Sequence, residues 1–320
     1  MYVDAFFQRD ADIVKIVERG TDGKRIFKEF PVRYTFYHTD PKGKFQSIYG
    51  EPLTRVVCKN SKDFRKELSI HNNKKLYEAD INPIFRCLSE NYLNQEAPKL
   101  NVAFFDIEVD FDPERGYASP EDAFMPITAI SIHLQWLNTL ICLAVPPKKM
   151  KVAEAEELVK DLPNTHIFDN EADMLDTFLN IIQDADVLSG WNSEGFDIPY
   201  TVNRVTKVLS KDDTRRFCLW DQYPKKREYE KYGKAAVTYD LVGRVHLDSL
   251  ELYRKYTYEE RHTYRLDAIG EMEVGETKTQ YEGTLDQLYN NDFRKFVIYN
   301  RQDTTLLDKL DKKLKFIDLS

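Results

Sequence analysis

An α/β fold with a mixed, buried sheet, preceded by a smaller β-rich region, is what this sequence predicts. Three observations lead there. The first hundred residues read as short aromatic and β-branched runs broken by turn signals. From residue 100 the runs become nearly continuous and apolar, and they alternate with segments of helical period. The length of 320 residues suits two domains, placed at 1–99 and 100–320.

The elements follow in order. YVDAFFQR and IVKIVERG read as strands; Asp22-Gly23 signals a tight turn before KRIFKEF and VRYTFYH, so an antiparallel meander is expected. Ser61 is the expected N-cap of a short helix, KDFRKELSI. EADINPIFRCLSENY closes the region, and QEAPK reads as a linker. VAFFDIEVDF is a strand with acids embedded in it, followed by the strands ITAISIHLQW and TLICLAV. Asn170 can cap a helix carrying Met174, Leu175, Phe178, Leu179 and Ile182 at helical spacing. DVLSGWN is a strand, and IPYTVNRVTKVL is a helix with Ile198, Val202, Val205 and Leu209 on one face. A hairpin is expected near 227–241, with Tyr232-Gly233-Lys234 near its tip. RVHLDSLELYRKY is a strand and then a helix, and Asp292 to Ile317 is one long helix.

Composition narrows the class. The chain is 42% apolar, 31% charged and 13% aromatic, enough for a folded core. No run of about 18 apolar residues occurs, so no membrane partner is expected. The segment MYVDAFFQRDADIVK lacks the basic and apolar regions of a secretory signal. Cys58, Cys87, Cys142 and Cys218 are spread singly, which fits reduced thiols in a cytoplasmic protein and gives no zinc ribbon or disulfide frame. The net charge of −8 argues against coating nucleic acid through bulk charge. It is unevenly divided. Residues 1–100 carry 18 Lys and Arg against 14 Asp and Glu, and residues 101–320 carry 28 against 40. A phosphate-handling site in the acidic part would need metal ions to supply positive charge.

Three segments hold the candidate chemistry. Asp106 and Glu108 stand at i and i+2 in a strand, so both point to one face. Two carboxylates in an apolar strand repel each other and lose solvation; a divalent cation offsets both, and so does a strand end open to water. Asp197 follows the strand DVLSGWN, where open α/β sheets bind ligands; taken alone, an N-cap aspartate is the simpler reading. Tyr299 and Asp303 are four apart in VIYNRQDTTLL, on one helix face; a solvated Asp beside a half-buried Tyr is the plain alternative. Taken together, four carboxylates from three distant segments can hold two divalent ions about 3.5–4 Å apart, the arrangement for in-line attack on a phosphodiester. All-oxygen ligands suit Mg²⁺ or Mn²⁺.

FFDIEVD, GWNSEGFDIPY and YNRQD resemble, in order, the three exonuclease motifs of family B DNA polymerases. IYGEPLTR, FDNEADMLDTFLN, DSLELYRKYTY and KLKFIDLS extend the resemblance over nearly the whole chain, toward the replicative polymerases of T-even-type bacteriophages. The resemblance implies a ribonuclease H-like 3′→5′ exonuclease domain behind the β-rich one, working with two divalent ions, Mg²⁺ or Mn²⁺. Asp106 would bridge both ions; Glu108 and Asp303 would complete the site activating the attacking water. Asp197 would serve the ion that supports the leaving 3′ oxygen, and Tyr299 would position the water. Residue 298 is Ile, which implies the tyrosine rather than the histidine subtype. Lys278 corresponds either to a lysine that contacts the scissile phosphate or to a solvated lysine in a polar loop; Asn192 and Phe196 are further substrate-binding candidates. Asp248 reads as structural.

The implied reaction releases nucleoside monophosphates from a single-stranded or frayed 3′ DNA end. The hairpin resembles one that separates primer from template. Arg215, Arg216, Lys225, Lys226, Arg227, Lys231 and Lys234 fit either a backbone-tracking surface or a merely charged hairpin. No DxxSLYP or YGDTDS stretch occurs, so polymerisation is not expected; a truncated chain or a split polymerase gene would account for that. A split gene implies a separate polymerase-module subunit as partner, with a sliding clamp reached through it. A second function class is a nucleic-acid-binding or assembly subunit without essential catalysis, for which RNA is a candidate partner. A third is an RNase of the same fold. The implied location is the cytoplasm, that of the host if the source is a phage.

Overall fold

The computed structural model describes residues 2–231, 233–276, 279 and 281–320. The chain divides into two compact units, Met1–Lys99 and Leu100–Ser320.

In the first unit, β1 (Tyr2–Gln8), β2 (Ile13–Arg19) and β3 (Arg25–Pro31) form an antiparallel sheet. Gly23 takes φ +78 at the turn between β2 and β3, a conformation open to glycine at no steric cost. A second sheet takes β4 (Tyr34–Thr39), β5 (Phe45–Gln46), β6 (Pro52–Cys58) and β7 (Leu76–Tyr77), in the order β5-β6-β4-β7. The expected meander is therefore broken in two after β3. Helix α1 (Ser61–Ile70) is capped by Asn60, whose side chain accepts from the Asp63 N–H at 2.8 Å. Ser61, the expected cap, is the first helical residue. Both are cap-type residues, and the extended backbone at Asn60, φ −149 and ψ 166, decides between them. Helix α2 (Pro83–Tyr92) starts on Pro83, which needs no N–H there, and contributes Cys87 and Tyr92 to a core with Val14, Ile16 and Val32.

The second unit carries, in chain order, β8 (Val102–Val109), β9 (Ile127–Leu134), β10 (Thr139–Ala144), α3 (Val152–Val159), β11 (Thr165–Ile167) and α4 (Glu171–Ile181). Next come β12 (Val187–Gly190), α5 (Asp197–Val208), the hairpin strands β13 (Lys225–Lys231) and β14 (Lys234–Asp240), and β15 (Val245–Asp248). Four helices end the chain: α6 (Ser249–Tyr256), α7 (Leu266–Val274), α8 (Leu285–Asn291) and α9 (Phe293–Leu314). Six strands make one mixed sheet, β11-β10-β9-β8-β12-β15. β8 pairs antiparallel with β9 and parallel with β12, and β12 pairs parallel with β15. The C-terminal ends of β8, β12 and β15 therefore lie at one end of the sheet, the place where open α/β sheets bind ligands.

Helix α9 fixes the far wall. Near its start Phe293, Phe296 and Val297 pack with Ala129, Cys142 and Val159; further along Leu306, Leu307 and Leu310 pack with Val102, Phe104 and Val187. Each such buried side chain contributes roughly 1.5–3 kcal/mol of apolar burial. With both halves anchored, the middle turn at Tyr299–Asp303 is held against the sheet. The Ser131 hydroxyl of β9 donates to the Asn300 carbonyl at 2.7 Å and sets the depth of that turn. Asp292 caps the helix, accepting from the Lys295 N–H at 3.0 Å, and Lys315 ends it in the left-handed conformation. On α4, Asn170 caps as expected, accepting from Asp173 N–H at 2.9 Å. Glu171 takes Arg204 in a two-pronged pair at 2.7 and 2.6 Å and also accepts from the Ile127 N–H at 2.7 Å, so α4, α5 and the start of β9 are tied together.

No helix among the described residues is long and apolar enough to cross a membrane. All four cysteines are buried free thiols.

Candidate metal centre

The site starts on β8. Asp106 and Glu108 alternate with Phe105 and Ile107, and the pleat sends both acids to the same face. Asp303, at 2% exposure, meets them from the middle turn of α9. One carboxylate oxygen from each of Asp106, Glu108 and Asp303 lies within 4.8 Å of the other two. Glu108 is buried and Asp106 half-buried, so the cluster opens to solvent mainly at Asp106. Asn300, one turn before Asp303 and fully buried, donates its side-chain amide to Asp106 Oδ2 at 3.2 Å. It orients the carboxylate that the open side reaches first.

Asp197 arrives from the end of β12. It is the first residue of α5, and the cap position belongs to Phe196, with no side-chain cap. The carboxylate instead accepts the Ile107 N–H at 3.2 Å, between Asp106 and Glu108 in the chain. Burial lifts its pKa well above the ordinary carboxylate range; the Ile107 hydrogen bond opposes this, and the negative charges of Asp248 and Asp303 reinforce it. Gly190 lets the strand end approach β8. A Cβ there would meet the Phe105 carbonyl oxygen at 2.8 Å and Ser193 Cβ at 2.9 Å.

Asp248 has a structural place, accepting the N–H groups of Asn192, Glu194 and Leu250 at 3.0, 3.0 and 2.9 Å. It caps α6 and holds the loop that leads to Asp197. Burial still raises its pKa, against those three bonds.

A cleft of about 500 Å³ opens beside Asp106, with Trp191, Arg265, Thr279, Tyr281 and Tyr299 among its walls. The Tyr281 ring stands edge-on to Tyr299 at 5.2 Å. Asn192 has φ +62 and gives its N–H to Asp248, and the Phe196 ring packs on Tyr200 at 5.2 Å; neither lines this cleft. Lys278 lies outside the described residues, as does Tyr232 of the hairpin tip.

The donor set fits a divalent cation. It is all carboxylate oxygen, drawn from β8 and α9, and its like charges repel one another; Asp197, from a third segment, is not in this group of three. Among the described residues this is the one group of three or more acidic, His or Cys side chains close enough to share an ion.

A family profile described as "DNA polymerase family B, exonuclease domain" matches residues 54–269. The chain belongs to that family. Its mixed sheet flanked by helices is the ribonuclease H-like fold of the domain. Among its relatives, the DNA-directed DNA polymerase of Escherichia phage RB69 is 27% identical over 340 residues, 99% of this chain and 37% of that protein. The DNA-directed DNA polymerase of Enterobacteria phage T4 is 27% identical over 95% of this chain and 36% of its own length. The DNA polymerase of Thermococcus aggregans is 30% identical over 127 residues, 38% of this chain. The chain thus spans a little over a third of the length of the phage polymerases it matches. The profile match covers Asp106, Glu108 and Asp197, whereas Tyr299 and Asp303 lie in the stretch shared with the phage polymerases.

Sequence reading of this exonuclease domain missed Asn300, Trp191, Tyr281 and Arg265. Asn300 left a signal, since a polar residue three before Asp303 shares its helix face. The others reach the cleft only through tertiary packing. Three of the seven basic residues expected to form a surface at the hairpin are ion-paired. Arg215 pairs with Asp221 at 2.5 Å, Arg216 with Asp176 at 2.7 Å, and Arg227 with Glu194 and Asp240 at 2.5 and 2.8 Å.

The loop carrying Asp197 also depends on His246, whose Nε2 lies 2.9 Å from the Ser193 hydroxyl. Burial pushes the His246 pKa down to about 4, and the charge of Arg227 adds to this. Below an unfolded value of about 6.5 the unfolded chain binds a proton that the folded one refuses. His246 therefore costs stability as pH falls from about 6.5 to about 4, with a slope of at most about 1.4 kcal/mol per pH unit. In urea unfolding between pH 4.5 and 7, the stability of His246→Gln relative to the wild type should rise as pH falls, since its amide can keep the Ser193 bond and takes up no proton on unfolding. Equal slopes in the two proteins would refute this.

Proposed function

We propose that the chain is a divalent-cation-dependent 3′→5′ exonuclease acting on single-stranded or frayed DNA ends, the proofreading portion of a family B replicative polymerase. The observation that carries this reading is the meeting of Asp106, Glu108 and Asp303 beside an open cleft, with Asp197 bonded to the backbone between the first two. Asp106, Glu108 and Asp303 would hold one ion, and Asp106 with Asp197 a second, as Mg²⁺ or Mn²⁺. Bound there, the ions would lower the pKa of an attacking water and neutralise charge gathering on the phosphate.

The remaining work falls to the chain. Asn300 keeps the Asp106 carboxylate turned into the cleft. Tyr299 lines the cleft next to Asp106, where its hydroxyl can orient a water by hydrogen bonding. Its ring is held edge-on by Tyr281, which limits where that hydroxyl can go. At about 500 Å³ the cleft suits a single strand end better than a duplex, which favours a frayed 3′ terminus. DNA is the expected partner, in line with the names of the phage polymerases, and the cytoplasm is the expected setting.

A 5′-labelled single-stranded DNA tests the reading. With Mg²⁺ it should shorten one nucleotide at a time from its 3′ end, and EDTA should stop this. Internal cuts, loss of the 5′ label, a preference for matched RNA, or no cleavage would overturn it. Binding without cleavage would leave the assembly-subunit reading in its place.

A further inference from the structure

Arg265 stands apart from the other arginines of its unit. Arg204, Arg227, Arg261 and Arg294 each hold a carboxylate, and buried Arg244 is bonded to backbone carbonyls. The side chain of Arg265 is exposed and has no ion pair or hydrogen bond among the described residues, although it lines the same cleft as Asp106 and Tyr299. A guanidinium is planar and always charged, and it matches two oxygens at once, so phosphate and carboxylate are its natural partners. The carboxylates of the cleft do not take it. The nearest acid in the chain, Asp267, accepts the Ala268 N–H at 2.9 Å.

The backbone under Arg265 is fixed while its side chain is open. The Trp191 indole donates to the Tyr264 carbonyl at 2.9 Å, and the Arg254 guanidinium lies over the Tyr264 ring at 4.6 Å. On the other side Leu266 is buried with Phe104 and Leu306. A cation is thus presented from rigid flanks into a cleft that otherwise carries negative charge.

We infer that Arg265 binds a backbone phosphate of the DNA strand drawn into this cleft, as a substrate-binding residue that sets the strand's position beside Asp106. The inference rests on the exonuclease reading. Phosphate contacts of this kind fix register and leave base preference untouched, as a proofreading site that accepts any terminal base requires.

The test uses the full chain and a 5′-fluorescein oligo(dT) of ten nucleotides. Binding is followed by anisotropy in EDTA over a series of NaCl concentrations, with mononucleotide release in Mg²⁺ measured alongside. Arg265→Ala should weaken binding about tenfold and flatten the slope of log affinity against log salt by about 0.7, the value for one phosphate contact on a single strand. Arg265→Lys should recover most of the slope and only part of the affinity. KM should rise in Arg265→Ala with little change in kcat. Wild-type affinity and salt slope in Arg265→Ala, with wild-type cleavage intact, overturn the inference alone. Weakened, salt-flattened binding in a protein that never cleaves supports it and overturns the exonuclease reading. A wild-type chain that neither binds nor cleaves overturns both.

Discussion

Replacing Asp106 with Ala is expected to cut mononucleotide release by about 10³-fold or more, equivalent to about 4 kcal/mol of lost transition-state stabilisation. Asp106 is the one cluster member that is both half-open to the cleft and held by Asn300, so no neighbour can replace it. Asp303→Asn should do comparable damage, because an amide keeps the shape and loses the charge. The same substitutions carry an opposite signature in stability. Buried carboxylates that repel one another cost the folded state, and removing one relieves that cost. In EDTA, Asp303→Asn should therefore unfold at or above the wild-type temperature while being nearly inactive. A variant that loses activity by unfolding would show the reverse, and full activity in Asp106→Ala would remove the cluster from catalysis.

The second large effect is structural. Arg244 is 1% exposed. Its guanidinium donates to the carbonyls of Ala185, Phe217 and Gln183 at 2.8, 3.1 and 2.9 Å, and to that of Arg216 at 3.2 Å. It joins the stretch after α4, the turn after α5 and the approach to β15, which together support the loop bearing Asp197. Arg244→Met would fill much of the space and leave those carbonyls buried without donors. The expected cost is about 3–5 kcal/mol, or about 10 °C in Tm for a unit of this size. Trp136, Trp191 and Trp220 all lie in the second unit, so tryptophan fluorescence in urea follows that unit alone. A loss under about 1 kcal/mol would show that the carbonyls find other donors.

Several elements could be read from the sequence because their causes are local. An apolar run with acids at i and i+2 marks β8, and the spacing of Phe293, Phe296, Val297, Leu306 and Leu310 marks α9. Asn170 announces α4 by its own chemistry. Where two local answers compete, the sequence is silent, as with Asn60 against Ser61. Short helices such as α7, with Gly270 in its middle, lack a strong period and owe their form to packing against α9. The site divides the same way. That Asp106 and Glu108 share a face follows from the strand period. That Asp197 turns to the Ile107 N–H instead of capping its own helix, or that Arg265 and Tyr299 line one cleft, is set by distant segments meeting.

Whether these carboxylates bind divalent ions can be measured without any substrate. Titrating Mn²⁺ into the metal-free chain, with free ion read by electron paramagnetic resonance, tests it most directly. Two bound ions per chain are expected in the wild type, with loss of binding in a variant carrying both Asp106→Ala and Asp303→Ala. No saturable binding, or equal binding in that variant, would contradict it.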